Sequence, residues 1–127
     1  MSQESIEQSV VEVICESLAL DLDEVKTNTL IIKELNADSL DIIDIMFLLE
    51  ERFEVTLEKE DFNFLTKISL DQEAAVTGDG FLVPQAKKEL REWLPSLDLA
   101  AELKPSDLRE FLSVQSVVNL VQQKGNS

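Results

Sequence analysis

NADSLDIIDIMFLLEERFEV, residues 36–55, is the stretch whose reading decides the fold. Asp38, Ser39 and Asp41 stand immediately before and within the start of a long apolar run. The spacing predicts a helix from Ser39 to about Phe53. Asp38 suits its N-cap and Asp41 its third position, and both acids favour the positive end of the helix dipole. Leu40, Ile43, Phe47 and Phe53 are expected on a core-facing side. Ile42, Ile45, Met46 and Leu49 widen that face beyond the needs of one neighbour. Such a helix is either buried on several sides or meets a partner along part of its face.

Working outward, apolar residues at Ile6, Val10, Val13, Ile14 and Leu18 predict a first helix from residue 4 to about 20, with Glu7, Glu12 and Glu16 wet. Cys15 lies within it without a cationic neighbour and reads as a packing residue. Residues 21–38 form a connection that Leu30, Ile31, Ile32 and Leu35 tie to a core. At the far end, SVQSVVNLVQQKG predicts a last helix, with Ser113 as N-cap, a stripe of Val114, Val117, Val118 and Val121, and Gly125 at its stop. KPSDLREFL before it suggests a short helix opened by Pro105, with Leu108, Phe111 and Leu112 inward.

The middle differs. TGDGFLVP reads as a turn and a short extended piece. Pro84 and Pro95 bracket QAKKELREWL, where Ala86, Leu90, Trp93 and Leu94 share a face and Lys87, Lys88 and Arg91 form the most basic patch of the chain. Phe62, Phe64, Leu65, Ile68, Phe81, Leu82 and Trp93 all need cover, so the segment is too apolar for a disordered linker.

Composition narrows the function. The chain has 127 residues, 44% of them apolar, which suits one domain with a real core. No 18-residue uncharged run is present to span a membrane. The start, MSQESIEQSV, lacks the basic and apolar regions of a signal peptide, and one cysteine forms no internal disulfide. The expectation is a cytoplasmic protein. A net charge of −15 repels nucleic acid and anionic membranes and favours basic partners. There is no histidine, so no Ser-His-Asp triad and no histidine base or metal ligand.

Ser39 then has three readings. As a helix start, the acid-Ser-x-acid pattern is generic. As a nucleophile it lacks a base, a Ser-x-x-Lys pair and a Gly-x-Ser-x-Gly elbow. As an attachment point it need only present a hydroxyl to another enzyme. Here LNADSLDIIDIMFLLEERFEV resembles the modified-serine region of acyl carrier proteins, in which Asp-Ser-Leu begins the second of four helices. The layout of residues 4–57 is similar to that family, and LKPSDLREFLSVQSVVNLV is similar to its short third helix and its fourth.

The resemblance implies an all-α, four-helix carrier bundle with no enzymatic activity. Residues 1–127 would form a single carrier domain, with residues 58–104 as a mostly helical insertion between the second helix and the short third one. It implies a phosphopantetheine arm attached covalently to Ser39 by a phosphopantetheinyl transferase, with acyl groups held on it as thioesters. Asp38 matches the acid beside the transferase's metal ion. Asp41, Asp44, Glu50 and Glu51 match the acidic second-helix surface read by acyl-transferring and condensing enzymes. The expected form is a monomer without bound metal. Fatty-acid, lipid or polyketide synthesis are the implied settings; an aminoacyl or peptidyl cargo and an unmodified acidic interaction domain are the alternatives.

Asn36 stands where the family commonly has glycine, and asparagine tolerates positive φ. The middle segment departs further. Loosely, in position and length, it resembles the lengthened region of carriers for very long acyl chains. Three roles are open to it: extending the wall over an acyl chain, packing on itself and on the back of the first helix, or docking an acidic partner through KKELR.

Overall fold

In the computed structural model, which describes residues 3–125, the regular elements are helical. The elements are α1 (Gln3–Leu18), α2 (Ser39–Phe53), the one-turn α3 (Gln72–Ala75), α4 (Pro84–Leu90) and α5 (Val114–Gly125), with 3-10 turns between them. Among the described residues the only β pairing is two isolated bridges, Leu30 with Ser113 and Val76 with Leu82.

The core forms where α1 packs on both α2 and α5. Val10, Val13 and Ile14 supply the face of α1, and Ile45, Met46 and Leu49 that of α2. Leu120, Val117, Val118 and Val121 fill the space between. Two polar links brace α1 against α2: Ser17 Oγ donates to Asp44 at 2.7 Å, and Arg52 pairs with Glu12 at 2.9 Å. Cys15 is buried, and burial followed by the nearby carboxylates of Glu24, Asp21 and Asp23 pushes its thiol pKa up. It is a packing residue, as its sequence setting indicates.

The α2 face requires a correction. Leu40 and Phe47 do not face the core; they are 73% and 61% exposed. Residues 42, 45, 46 and 49 occupy one face at i, i+3, i+4 and i+7, and α1 and α5 claim that face. The opposite stripe at i, i+4, i+7 and i+11 then carries Leu40, Asp44, Phe47 and Glu51, all exposed. Phe53 is half-buried against the core, and Ile43 lies at the flank.

The short stretch Pro105–Phe111 is a 3-10 helix with Pro105 in its first turn and Leu108 buried. Ser113 and Ser116 cap α5 reciprocally, each hydroxyl accepting from the other's amide at 3.2 and 3.1 Å. The predicted turn at TGDGFLVP is present, with Gly80 at φ 88° and the amide of Thr77 donating to Phe81 O at 2.8 Å.

Residues 58–104 are tied to α5. Lys67 Nζ donates to Gln123 at 3.1 Å, Lys124 pairs with Asp61 at 3.1 Å, and Asn119 donates to Glu92 O at 3.1 Å. Phe64 lies beneath Trp93, ring centroids 5.8 Å apart, with Lys67 over the Trp93 ring. The basic patch also dissolves. Helix α4 ends at Leu90, and Lys87 points inward, its Nζ donating to Leu99 O and Ala101 O at 2.9 Å each.

Asp61 gives this anchoring a pH dependence. Burial raises its carboxyl, but the Glu58 amide and Lys124, with Lys67 behind, outweigh that and leave it below the ordinary 3.8. A depressed folded pKa contributes stability that is complete above the unfolded value and lost as pH falls through the folded one. Asp61→Asn should lower stability near neutral pH by about 1 kcal/mol. Its urea midpoint should converge with the parent's below pH 3.8. Parallel curves at every pH would mean the carboxylate contributes nothing.

Candidate functional site

Ser39 is placed by the loop before it. The Ile31 amide donates to Leu112 O at 2.9 Å, and those of Val114 and Gln115 to Thr29 O and Thr27 O at 3.1 and 2.8 Å, stitching the 27–31 segment to the start of α5. Ile31 is fully buried and anchors the stitch. The chain returns through Ala37, whose amide donates to Ile31 O at 3.2 Å, after a left-handed Asn36 at φ 58°. Asparagine is among the few side chains that reach this conformation at low cost.

Asp38 is the N-cap of α2. Its Oδ1 accepts from the Asp41 amide at 2.9 Å, and Asp41 Oδ2 accepts from the Asp38 amide at 3.0 Å. Ser39 is therefore the first helical residue and not the cap. It is exposed, and among the described residues its hydroxyl has no hydrogen-bond partner. The capping reading belongs to Asp38, which leaves the serine oxygen available.

The five acids around it divide. Asp38 and Asp41 are engaged in the cap, and Asp44 accepts from Ser17. Glu50 turns back to accept from the Leu57 amide at 3.2 Å and closes the loop after α2. Of the five, only Glu51 is exposed without a partner among the described residues. Asp44 and Glu51 share their stripe with Leu40 and Phe47, so the exposed face is mixed, acidic and apolar, and Glu50 and Asp41 lie off it. The i, i+4, i+7, i+11 spacing of those four is present in the sequence and was the missed signal.

Beside Ser39 lies a cavity of about 320 Å³, walled by Ile42, Ile43 and Met46 of α2 and by Ile32, Phe62, Lys59 and Arg109. Nothing in the sequence brings Lys59 and Arg109 to Ser39; the turn after Phe53 and the 3-10 helix before α5 do so. Lys59 and Arg109 thus line the same cavity as Ser39 and Asp38, at the N-terminal end of α2.

Comparison with known proteins bears on this arrangement. Residues 8–69 match the family model described as a phosphopantetheine attachment site, a span that contains Ser39. The acyl carrier protein of Campylobacter jejuni subsp. doylei is 44% identical over 59 residues, covering 46% of this chain and 77% of the relative. That of Campylobacter lari is 41% identical over 64 residues, covering 50% and 83%. That of Helicobacter hepaticus is 41% identical over 54 residues, covering 42% and 71%.

The chain belongs to the acyl carrier protein family.

Membership implies a covalently attached phosphopantetheine group. The residues present fit such a group. An exposed hydroxyl at a helix start and an adjoining, largely apolar cavity whose lining includes Lys59 and Arg109 are what the arm would meet. No solved structure matches the chain. Among the described residues, no helix is long and apolar enough to cross a membrane.

Proposed function

We propose that this acyl carrier protein holds acyl groups as thioesters on a phosphopantetheine arm at Ser39 and presents them to biosynthetic enzymes in the cytoplasm. The observation that carries the reading is the free Ser39 hydroxyl at the head of a helix whose cap is another residue. When bound, the arm supplies the thiol that forms the thioester. The chain supplies presentation. Asp38 and Asp41 hold the helix start, and Ser39 offers the oxygen to a phosphopantetheinyl transferase. Fatty-acid, lipid or polyketide synthesis suits such a carrier, and residues 58–104 are an insertion within a single carrier domain.

Incubation with coenzyme A, magnesium and a broad-specificity transferase should add one phosphopantetheine mass per chain. Peptide mapping should place it at Ser39. A chain that stays unmodified with several transferases would sink the reading.

Docking follows from the mixed stripe on α2. Leu40 and Phe47 offer apolar contact, and Asp44 and Glu51 offer charge to a basic enzyme. Asp44→Lys with Glu51→Lys should slow modification about tenfold at low salt. The difference should shrink as salt is raised past the screening range. Equal rates at low salt would reduce the stripe's acids to a solubility device.

A further inference from the structure

A phosphodiester on Ser39 would stand beside two carboxylates, those of Asp38 and Asp41, which the reciprocal cap fixes at the start of α2. It would add a further negative charge there, in a chain of net charge −15. Like charges so close disfavour one another unless cations lie near. Most of the chain's 11 basic residues are unsuited to that role. Arg52, Lys67 and Lys124 are paired with carboxylates, Lys87 is engaged with carbonyls, and Lys104 lies over Phe81. Lys59 and Arg109 differ. Both are exposed without a carboxylate partner among the described residues, and both line the cavity of about 320 Å³ beside Ser39, whose lining holds one acid, Asp38. Their backbones are fixed separately. Lys59 opens the 3-10 turn Lys59–Phe62, where the Glu58 amide donates to Asp61 Oδ2 at 2.8 Å. Arg109 stands in the 3-10 helix Pro105–Phe111, where the Lys104 amide donates to Asp107 Oδ2 at 2.9 Å. The Ile31 amide, donating to Leu112 O, joins that helix to the loop before Ser39.

We propose that Lys59 and Arg109 together clamp the phosphodiester of the arm. The proposal rests on attachment at Ser39 and assigns two further residues, from outside α2, to holding the group. A phosphodiester carries one negative charge shared by two non-bridging oxygens. A guanidinium can donate to both through parallel N–H groups, and an ammonium adds a point charge from another side. Exposed cations hold a free anion weakly. An anion tethered at Ser39 meets them at high effective concentration, so weak contacts suffice. The clamp fixes the arm at its root, and everything beyond the phosphate stays free to swing toward a partner enzyme.

The test compares each variant with and without the arm, so any cost of the substitution itself cancels. At low salt, phosphopantetheinylated parent should melt about 2–4 °C above the unmodified chain. Near 1 M salt, where the screening length is about 3 Å, most of that gain should vanish. Lys59→Gln with Arg109→Gln should abolish the gain or reverse it, because Asp38 and Asp41 then meet the phosphate unopposed. Both side chains are exposed, so this variant should fold. Lys59→Arg with Arg109→Lys keeps both charges and should keep the gain. Lys88→Gln with Arg91→Gln removes the same charge from exposed positions in and just beyond α4, and should also keep it. The 31P resonance of the arm reads the contact directly. It should move toward that of a free phosphodiester in Lys59→Gln with Arg109→Gln alone. Equal midpoints with and without the arm in the parent at low salt would overturn the clamp. So would a gain retained in Lys59→Gln with Arg109→Gln, or one lost equally in Lys88→Gln with Arg91→Gln. A chain that never gains the arm fails one step earlier and overturns attachment at Ser39 together with this proposal.

Discussion

Ser39→Ala should leave the fold intact and take no phosphopantetheine at all. The side chain is exposed and its hydroxyl has no partner among the described residues, so the helix loses little when the oxygen goes. Substitutions at such positions usually change stability by less than about 0.5 kcal/mol. Asp38→Ala is the informative contrast. It removes the oxygen that accepts the Asp41 amide, so it should cost about 1 kcal/mol. It leaves the hydroxyl in place, so the modified mass should still appear, at a lower rate. The two variants thus separate a structural role from a chemical one at adjacent residues. Intact mass and thermal melting, measured on both, decide the matter. Ser39→Ala that gains the full mass places the arm elsewhere. Ser39→Ala that unfolds means the serine is structural after all.

What could be read from the sequence follows physical range. Helix α2 declares itself through local terms, an Asp38–Asp41 cap and a 3.6-residue period, and its observed limits are Ser39–Phe53. Asn36 likewise signals its left-handed turn by residue type alone. Which side of α2 is buried is not local. Apolar residues surround that helix, and only the positions of α1 and α5 decide that Leu49 is covered while Leu40 and Phe47 are not. The cavity beside Ser39 is still less legible. Lys59 and Phe62, from one segment, and Arg109, from another, line one cavity with Ile32 and Ile42, and no spacing encodes that convergence. Lys87 was misread for a related reason. A lysine beside Lys88 and near Arg91 looks like a solvated patch until the 99–101 turn, a dozen residues later, folds over it.

Replacing that lysine should loosen residues 58–104 without touching Ser39. Lys87 Nζ donates to the carbonyls of Leu99 and Ala101, and the side chain is nearly buried. Hydrogen bonds from a charged donor contribute about 1.5–3 kcal/mol each, and losing the donor leaves both carbonyls in need of water. Lys87→Met keeps the stem and removes the charge, recovering some apolar burial, so a net loss of about 2–3 kcal/mol is expected. Lys88→Met, on the exposed side, should stay within about 0.5 kcal/mol of the parent. The urea midpoint reads the difference. Trp93 emission should report it too, because Leu90 and Leu94, at the end of α4 and just beyond it, are fully buried beside that residue in sequence. Phosphopantetheine should still attach to Lys87→Met, since the cap of α2 and the stitch of the 27–31 segment to α5 lie elsewhere. Lys87→Met that matches Lys88→Met in midpoint would return Lys87 to the surface, and KKELR to consideration as a docking patch.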